Sequence, residues 1–243
     1  MRLFLTSYQK AGTHQIMPAL LISEDIVDRS GNDMTTIPRR YGTRREVYSE
    51  GVKTTVAELQ NFGGKIFGHV SYLPEYYEAL MSKPTKILVN VRDPRDIVVS
   101  NYYNIRRLHF GKHPGHGHLN FFDYVAGKKL MDTDDPISAL IEIEAARWPH
   151  WWGWLNLDPE NVMVVKYREL RHSPNETVAK IKEFLDPYEL DLAPTVKRLA
   201  PKTYKATVRR CIVGEHKELF KPHHMELANK LFSETLDRLG YEK

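Results

Sequence analysis

Disulfide chemistry is excluded first, because the 243 residues hold one cysteine, Cys211. No intrachain disulfide framework can form from it, and such a chain suits a reducing compartment. Long apolar runs are missing too: none approaches the ~20 residues that a membrane-spanning helix needs. The first residues carry no charged leader followed by an apolar stretch and a small-residue cleavage site. These absences predict a cytoplasmic protein with no membrane span. Because Arg2 opens directly into an apolar strand pattern, the stretch reads either as a whole chain or as one domain of a longer one. The Gly-Lys-Ser/Thr order of a Walker loop is absent as well, since at the first turn the lysine precedes the glycine. Disorder is not the default either, with 42% hydrophobic and 27% charged residues. The length fits one domain, 1–243, with a sizeable core. What remains is an excess of positive charge, a formal +4. It favours anionic partners, among them nucleic acid, phosphorylated cofactors and acidic lipids.

The organising stretch is the first dozen residues, where Leu3-Phe4-Leu5-Thr6 empties into Ser7-Tyr8-Gln9-Lys10-Ala11-Gly12-Thr13-His14. A loop that feeds a helix offers an anion several backbone N–H groups and the positive end of the dipole. Lys10 adds a point charge and Thr13 a hydroxyl. Taken alone, such a stretch is more often an ordinary strand-to-helix turn with a solvated lysine, so other segments must decide.

The spacing of Ile16, Ala19, Leu20 and Leu21 predicts a helix over Thr13–Glu24. A long loop at 28–50 gathers Arg29, Arg39, Arg40, Arg44 and Arg45, and reads as a solvated surface or as a lid for an anionic acceptor. A short helix over Thr54–Phe62, a strand over Lys65–Val70 ending at Gly68-His69, and a helix over Tyr72–Met81 follow. Lys86–Val91 is nearly continuous in apolar character, as a parallel strand buried on both faces should be. It ends in Arg92-Asp93-Pro94-Arg95-Asp96 and passes into a helix from Ile97, with Pro94 in a first-turn place. Arg92 thus stands at the carboxyl end of a strand, where open α/β sheets bind ligands; the competing reading is a surface ion pair with Asp93. His109, His113, His116 and His118 fall in a Gly- and Pro-containing stretch, within a loop at 106–120. With no cysteine or carboxylate at ligand spacing, that stretch reads as a solvent loop and not as a metal site. Pro136–Trp154 reads as a long amphipathic helix interrupted near Pro149, with Trp148, Trp151, Trp152 and Trp154 in the core. Asn161–Tyr167 is a strand, Ser173-Pro174 opens a helix through Leu185, and Thr207–Lys217 is basic and turn-rich. His224–Leu239 closes as a helix ended by Gly240. Strands alternating with helices imply βαβ units and an α/β fold with a parallel sheet. Its loops would put Lys10, Arg92 and Tyr167 along one edge.

At this point the residues carry a resemblance. Ser7–Thr13 resembles the 5′-phosphosulfate loop of the sulfotransferases that use 3′-phosphoadenosine 5′-phosphosulfate (PAPS). Arg92-Asp93-Pro94-Arg95-Asp96-Ile97-Val98-Val99-Ser100 is similar to their 3′-phosphate segment, and is the most specific match. Val165-Lys166-Tyr167-Arg168-Glu169-Leu170 resembles the family's Tyr-Glu-Asp-Leu stretch. Arg209-Arg210-Cys211-Ile212-Val213-Gly214-Glu215-His216-Lys217-Glu218-Leu219-Phe220 resembles its closing Arg-Lys-Gly-x-x-Gly-Asp-Trp-Lys-x-x-Phe segment. Four blocks in family order cover essentially the whole chain. The resemblance implies a three-layer α/β fold, P-loop-NTPase-like, with a central parallel sheet flanked by helices. It implies PAPS as co-substrate and adenosine 3′,5′-bisphosphate (PAP) as product; no metal is expected, because a sulfuryl group bears less charge than a phosphoryl group and the sequence shows no obvious metal site.

Residue by residue, the resemblance gives Lys10, Gly12 and Thr13 to the 5′-phosphate and the transferring group, with Ala11 and His14 alongside. Arg92 and Ser100 would hold the 3′-phosphate, with Arg209, Arg210 and Cys211 closing over it, and Tyr167 would contact the adenine. His69, in Gly68-His69-Val70-Ser71-Tyr72-Leu73-Pro74, falls where the family has the base of its Lys-Thr-His-x-Pro stretch. Gln9, His14 and Gln15 stand where the family has Pro, Thr and Trp, and Cys211 stands for a glycine. The dimer motif of some eukaryotic members is not evident after Phe220, so oligomeric state, a homodimer included, is open.

The chemistry asks for these residue types. In-line displacement builds charge on the leaving and equatorial oxygens, so positioned cations and N–H donors are the main catalysts, and Lys10 fits the leaving oxygen. A histidine can take the acceptor's proton as attack proceeds, and His69 fits that role. The expected partner is a hydroxyl-bearing acceptor, small-molecule, lipid or carbohydrate, and not nucleic acid. Two other classes compete: a P-loop small-molecule kinase, which needs the Walker order and an acidic metal-binding strand end, and a basic nucleic-acid module, which needs a stripe of cations with interleaved aromatics. The arginine-rich loop suggests an anionic or carbohydrate-like acceptor, the tryptophans an apolar or phenolic one.

Overall fold

Arg2–Ser7 forms strand β1, and all six of its residues are buried. The computed structural model describes residues 2–12, 16, 20, 36–37, 56–110, 129–130, 132–185, 210 and 212–243. After β1 come β2 (Thr36–Ile37), β3 (Lys65–Gly68), β4 (Thr85–Val91) and β5 (Val162–Lys166). The sheet order is β2-β3-β1-β4-β5, and every neighbouring pair runs parallel. The helices with defined bounds are α1 (Pro74–Met81), α2 (Pro94–Phe110), α3 (Pro136–Arg147), α4 (Pro149–Leu155), α5 (Tyr167–His172), α6 (Pro174–Leu185), α7 (His216–Leu219), α8 (Pro222–Leu231) and α9 (Ser233–Leu239). Two compact units contain them: Met1–Arg92 with His150–Tyr204, and Asp93–Pro149 with Lys205–Lys243.

In the first unit the period of two along each strand sorts the side chains. Leu3 and Leu5 of β1, Phe67 of β3, Leu88 of β4 and Val165 of β5 join one buried cluster with Ile16, Leu20, Leu170 of α5, and Ile181 and Leu185 of α6. Phe4 takes the opposite face, with its ring 6.0 Å from that of Trp154. Arg2 is on that second face too. Its guanidinium bonds Thr85 Oγ1 at 3.0 Å and ends on the carbonyls of Leu59 and Gln60, each at 2.9 Å, in the helical segment 56–61. It reaches Leu80 O of α1 at 2.5 Å as well. The last carbonyls of a helix lack intrahelical donors, so one buried arginine serves two helix ends.

The second unit is helical among its described residues. Asn101 Nδ2 of α2 donates to Glu144 Oε1 of α3 at 2.8 Å, and Arg147 Nη1 reaches the same oxygen at 2.9 Å, which satisfies a fully buried carboxylate. Arg95 brackets Asp93 through its backbone N–H and its guanidinium, at 2.8 to 3.0 Å, and also bonds Asn229 Oδ1 and Glu242 O.

Several sequence expectations are corrected here. Residues 28–50 are not loop throughout, since Thr36–Ile37 pairs with Phe67–Gly68 as the edge strand β2. The helix α2 runs to Phe110, so the start of the loop expected at 106–120, His109 included, is helical backbone. The strand expected over Asn161–Tyr167 stops at Lys166, and Tyr167 opens α5. The closing helix starts at Pro222 and is divided at Phe232 into α8 and α9. Gly240 does end it, in the left-handed region with φ 66. Trp148, Trp151 and Trp154 are buried, as expected of core residues, whereas Trp152 is half-buried. The helix expected over Thr13–Glu24 lies outside the described residues apart from Ile16 and Leu20.

Candidate active site

The carboxyl ends of β3, β1, β4 and β5 share one edge of a parallel sheet, and each is followed by a residue that sequence reasoning singled out: His69, Lys10, Arg92 and Tyr167. After β1 the chain turns at Tyr8–Ala11, where Ala11 N–H donates to Tyr8 O at 3.0 Å. Lys10 is the third residue of that turn and has φ 64. Glycine or asparagine normally supplies a positive φ there. For a residue with a side chain the conformation costs about 1–2 kcal/mol. Gly12 follows with φ 88, and a Cβ on it would lie 2.3 Å from Tyr167 Cδ2. The loop passes over the Tyr167 ring at a distance that only glycine allows.

Arg92 continues the row of alternate β4 residues and is 6% exposed. Its Nη1 donates to Lys10 O at 3.3 Å, and its guanidinium carbon lies 4.4 Å from the centre of the Tyr167 ring. The surface ion pair with Asp93 is therefore not its role; that carboxylate is bracketed by Arg95. Tyr167 is itself buried between Gly12 and Arg92.

His69 is fixed from β1. Its Nδ1–H donates to Ser7 O at 2.5 Å. The next residue is pinned through Thr6, whose hydroxyl bonds Val70 O at 3.0 Å and accepts Val70 N–H at 3.2 Å. Phe67 meets the imidazole edge-on, at 5.0 Å and 81°. A carbonyl can only accept, so the neutral ring carries its proton on Nδ1 and keeps its lone pair on Nε2, the tautomer that a base needs.

Lys86 and Lys166 do not compete with Lys10. Lys86 Nζ donates to Glu160 O and covers the Phe184 ring. Burial, and then the charge of Arg168, push the Lys166 ammonium down, against a smaller opposing effect of Glu169.

In the second unit, Ser100 lies half-buried on α2. Arg210 is exposed and pairs with Glu218 at 2.7 Å and with Glu215 at 3.5 Å. That hydrogen bond and charge, ahead of the smaller effects around it, raise the guanidinium above its ordinary value. Thr13, His14, Arg209 and Cys211 lie outside the described residues. Two residues were missed by sequence reasoning. Asp96 is fully buried and takes Gly214 N–H at 2.8 Å, His216 N–H at 3.1 Å and His216 Nδ1 at 2.8 Å, so it docks the described part of the closing segment onto α2. Asn90, on β4, ties the first loop. For Asn90 the signal was one polar residue inside an apolar run; Asp96, among the charges of Arg92-Asp93-Pro94-Arg95, had none of its own.

Among the described residues, Asp135, His223 and His224 are grouped closely enough to ligate a cation. However, Lys221 N–H donates to His224 Nδ1 at 3.1 Å. The neutral ring then carries its proton on Nε2 and offers Asp135 a proton, 3.0 Å away, and not a lone pair to a metal. The group is a hydrogen-bonded clasp.

A parallel sheet whose first strand runs into a lysine- and glycine-bearing turn, backed by an arginine from the adjoining strand, defines the P-loop-like α/β class. The family pattern described as Sulfotransferase domain matches residues 1–240. Sulfotransferase 2A1 of Homo sapiens is 23% identical over 261 residues, covering 98% of this chain and 85% of that protein. A 3-alpha-hydroxysteroid sulfotransferase of Cavia porcellus is 24% identical over 193 residues, 69% of this chain and 62% of its own length. Among solved structures, mouse sulfotransferase SULT7A1 complexed with PAP superposes with a TM-score of 0.55 at 18% identity, covering 97% of this chain and 84% of that one. The chain belongs to the sulfotransferase family.

Proposed function

We propose that this chain moves the sulfuryl group of PAPS to a hydroxyl of a small-molecule, lipid or carbohydrate acceptor by in-line displacement. The turn at Tyr8–Ala11 carries the reading: it presents Lys10 in a left-handed conformation between Arg92 on one flanking strand end and His69 on the other. Gly12 lets the loop lie directly on the Tyr167 ring, since a Cβ there would collide with that ring. A relative of the same fold, mouse sulfotransferase SULT7A1, was solved with PAP. The co-substrate, when bound, supplies the sulfuryl group and a phosphate leaving group.

The chain's own residues then divide the work. Lys10 places its ammonium on the leaving oxygen, and the Ala11, Gly12, Thr13 and His14 stretch lines the 5′-phosphate. Arg92, Ser100, Arg209, Arg210 and Cys211 hold the 3′-phosphate, and Tyr167 walls the adenine. His69 accepts the acceptor's hydroxyl proton at Nε2. No metal is assigned a step. Both units act as one sulfotransferase domain, which the family match through both of them supports. A cytoplasmic setting is supported by the single cysteine. No described helix is long and apolar enough to cross a membrane.

A thermal-shift titration tests the reading. PAP raises the melting temperature in a concentration-dependent way, and ATP at equal concentration raises it less. Equal shifts, or a shift with ATP alone, would return the site to a kinase.

A further inference from the structure

Asn90 is the one polar side chain between Leu88 and Val91 on a strand that is buried along its whole length. It pairs with Ser7 across β1 and with Val165 across β5, at the end of the rows that hold the core. Burying an amide costs free energy unless it is hydrogen-bonded, so its partners show what it is for. Nδ2 donates to Ala11 O at 3.1 Å and to Ser7 Oγ at 3.2 Å. The Ser7 hydroxyl passes the interaction on to Tyr8 O at 3.2 Å. The Asn90 backbone carbonyl, and not the side-chain oxygen, takes Tyr8 N–H at 3.0 Å. The amide orientation is set by chemistry, because Ala11 O can only accept and a flipped Oδ1 would meet it lone pair to lone pair. One residue on the neighbouring strand therefore holds both feet of the Tyr8–Ala11 turn. Between those feet stand Gln9 and Lys10, and Lys10 has the backbone conformation that a lysine adopts only under constraint.

We propose that Asn90 is a positioning residue for sulfuryl transfer. It locks the Tyr8–Ala11 turn and so fixes where the Lys10 ammonium stands. The proposal rests on the reading of this loop as the sulfuryl-donor loop. Its logic is geometric. Strand β4 is clamped between β1 and β5, so Asn90 is as rigid as the sheet. Its amide converts that rigidity into a turn geometry that the loop's own sequence, with lysine in place of glycine, disfavours. A leucine of similar volume keeps the packing and removes all side-chain bonds to the turn while leaving the Asn90 backbone bond in place. The turn can then relax to a negative φ at Lys10. Misplacement of a catalytic group by about 1 Å costs on the order of 100-fold in rate.

The test is a double-mutant cycle of Asn90→Leu with Lys10→Ala, read as kcat and KM for PAPS in a sulfate-transfer assay, with melting temperatures of all four proteins. Asn90→Leu lowers kcat about 10- to 100-fold in the Lys10 background, with a smaller change in KM. In the Lys10→Ala background it changes kcat less than about 3-fold, because the group it positions is gone. Equal losses in both backgrounds, or an unchanged kcat in the first, overturn the proposal. If Asn90→Leu does not fold, Ser7→Ala takes its place in the cycle, since it removes the hydroxyl that links Asn90 to Tyr8, and the same non-additivity is required. Failure of the underlying reading is separate: Lys10→Ala by itself would then transfer sulfate at the unmodified rate.

Discussion

His69 takes its orientation from one strand and its location from another. The Ser7 carbonyl sets the proton on Nδ1, while the Thr6–Val70 pair holds the chain that carries the ring. Removing the imidazole removes the proposed proton acceptor but none of the residues assigned to the nucleotide. His69→Ala is expected to lower kcat about 100- to 10,000-fold, while the PAP-induced rise in melting temperature is kept. Retained activity in a transfer assay ends its assignment as base. At this scale, much of the site was legible. Lys10, Gly12, Arg92 and Tyr167 stand in stretches whose order along the chain is informative. Asn90 was hidden because it interrupts an apolar run by one position, and only the register against Ser7 shows that it faces the loop. The conformation of Lys10 was equally hidden, since no sequence rule puts a lysine at a positive φ.

Among the elements, the clasp at the start of α3 shows how charge holds helices together. Asp135 caps α3 by accepting Ser138 N–H at 3.2 Å and the Ser138 hydroxyl at 2.7 Å, and it receives His223 and His224 from α8. Burial raises the carboxyl, but the Ser138 and histidine hydrogen bonds outweigh it and hold the group well below the usual carboxylate range. A depressed carboxyl contributes stability above its unfolded value, about 3.9, and loses it as pH falls toward the folded value. Asp135→Ala should cost about 1–2 kcal/mol at neutral pH, measured by urea unfolding. The difference from the unmodified protein should shrink as the pH is taken below about 4. A constant difference across that range would make the loss one of packing. The helix α3 itself was legible from its spacing and from Pro136. The division at Phe232 was not, because no glycine or proline marks it. Phe232 leaves helical geometry with φ −92 and ψ 5 while its ring is fully buried. The two-residue strand β2 was equally beyond a periodicity argument.

Over the whole molecule, the parallel sheet was legible from three short apolar runs, and its strand order was not. Alternation of strands and helices says that neighbours are parallel, yet it does not say that the first strand lies in the middle. That placement has a consequence in time. The hydrogen bonds of Arg2 and Asn90 join residues 57 to 83 positions apart, and contacts of such separation close late. The Tyr8 amide, whose acceptor is Asn90 O, should gain protection in pulse-labelled refolding together with the amides of β4, and after those of α6. Protection of Tyr8 ahead of β4 would count against this order. On that order Lys10 reaches its final conformation late: the turn proposed to hold the sulfuryl donor is finished only when the strand that carries Asn90 has docked beside it.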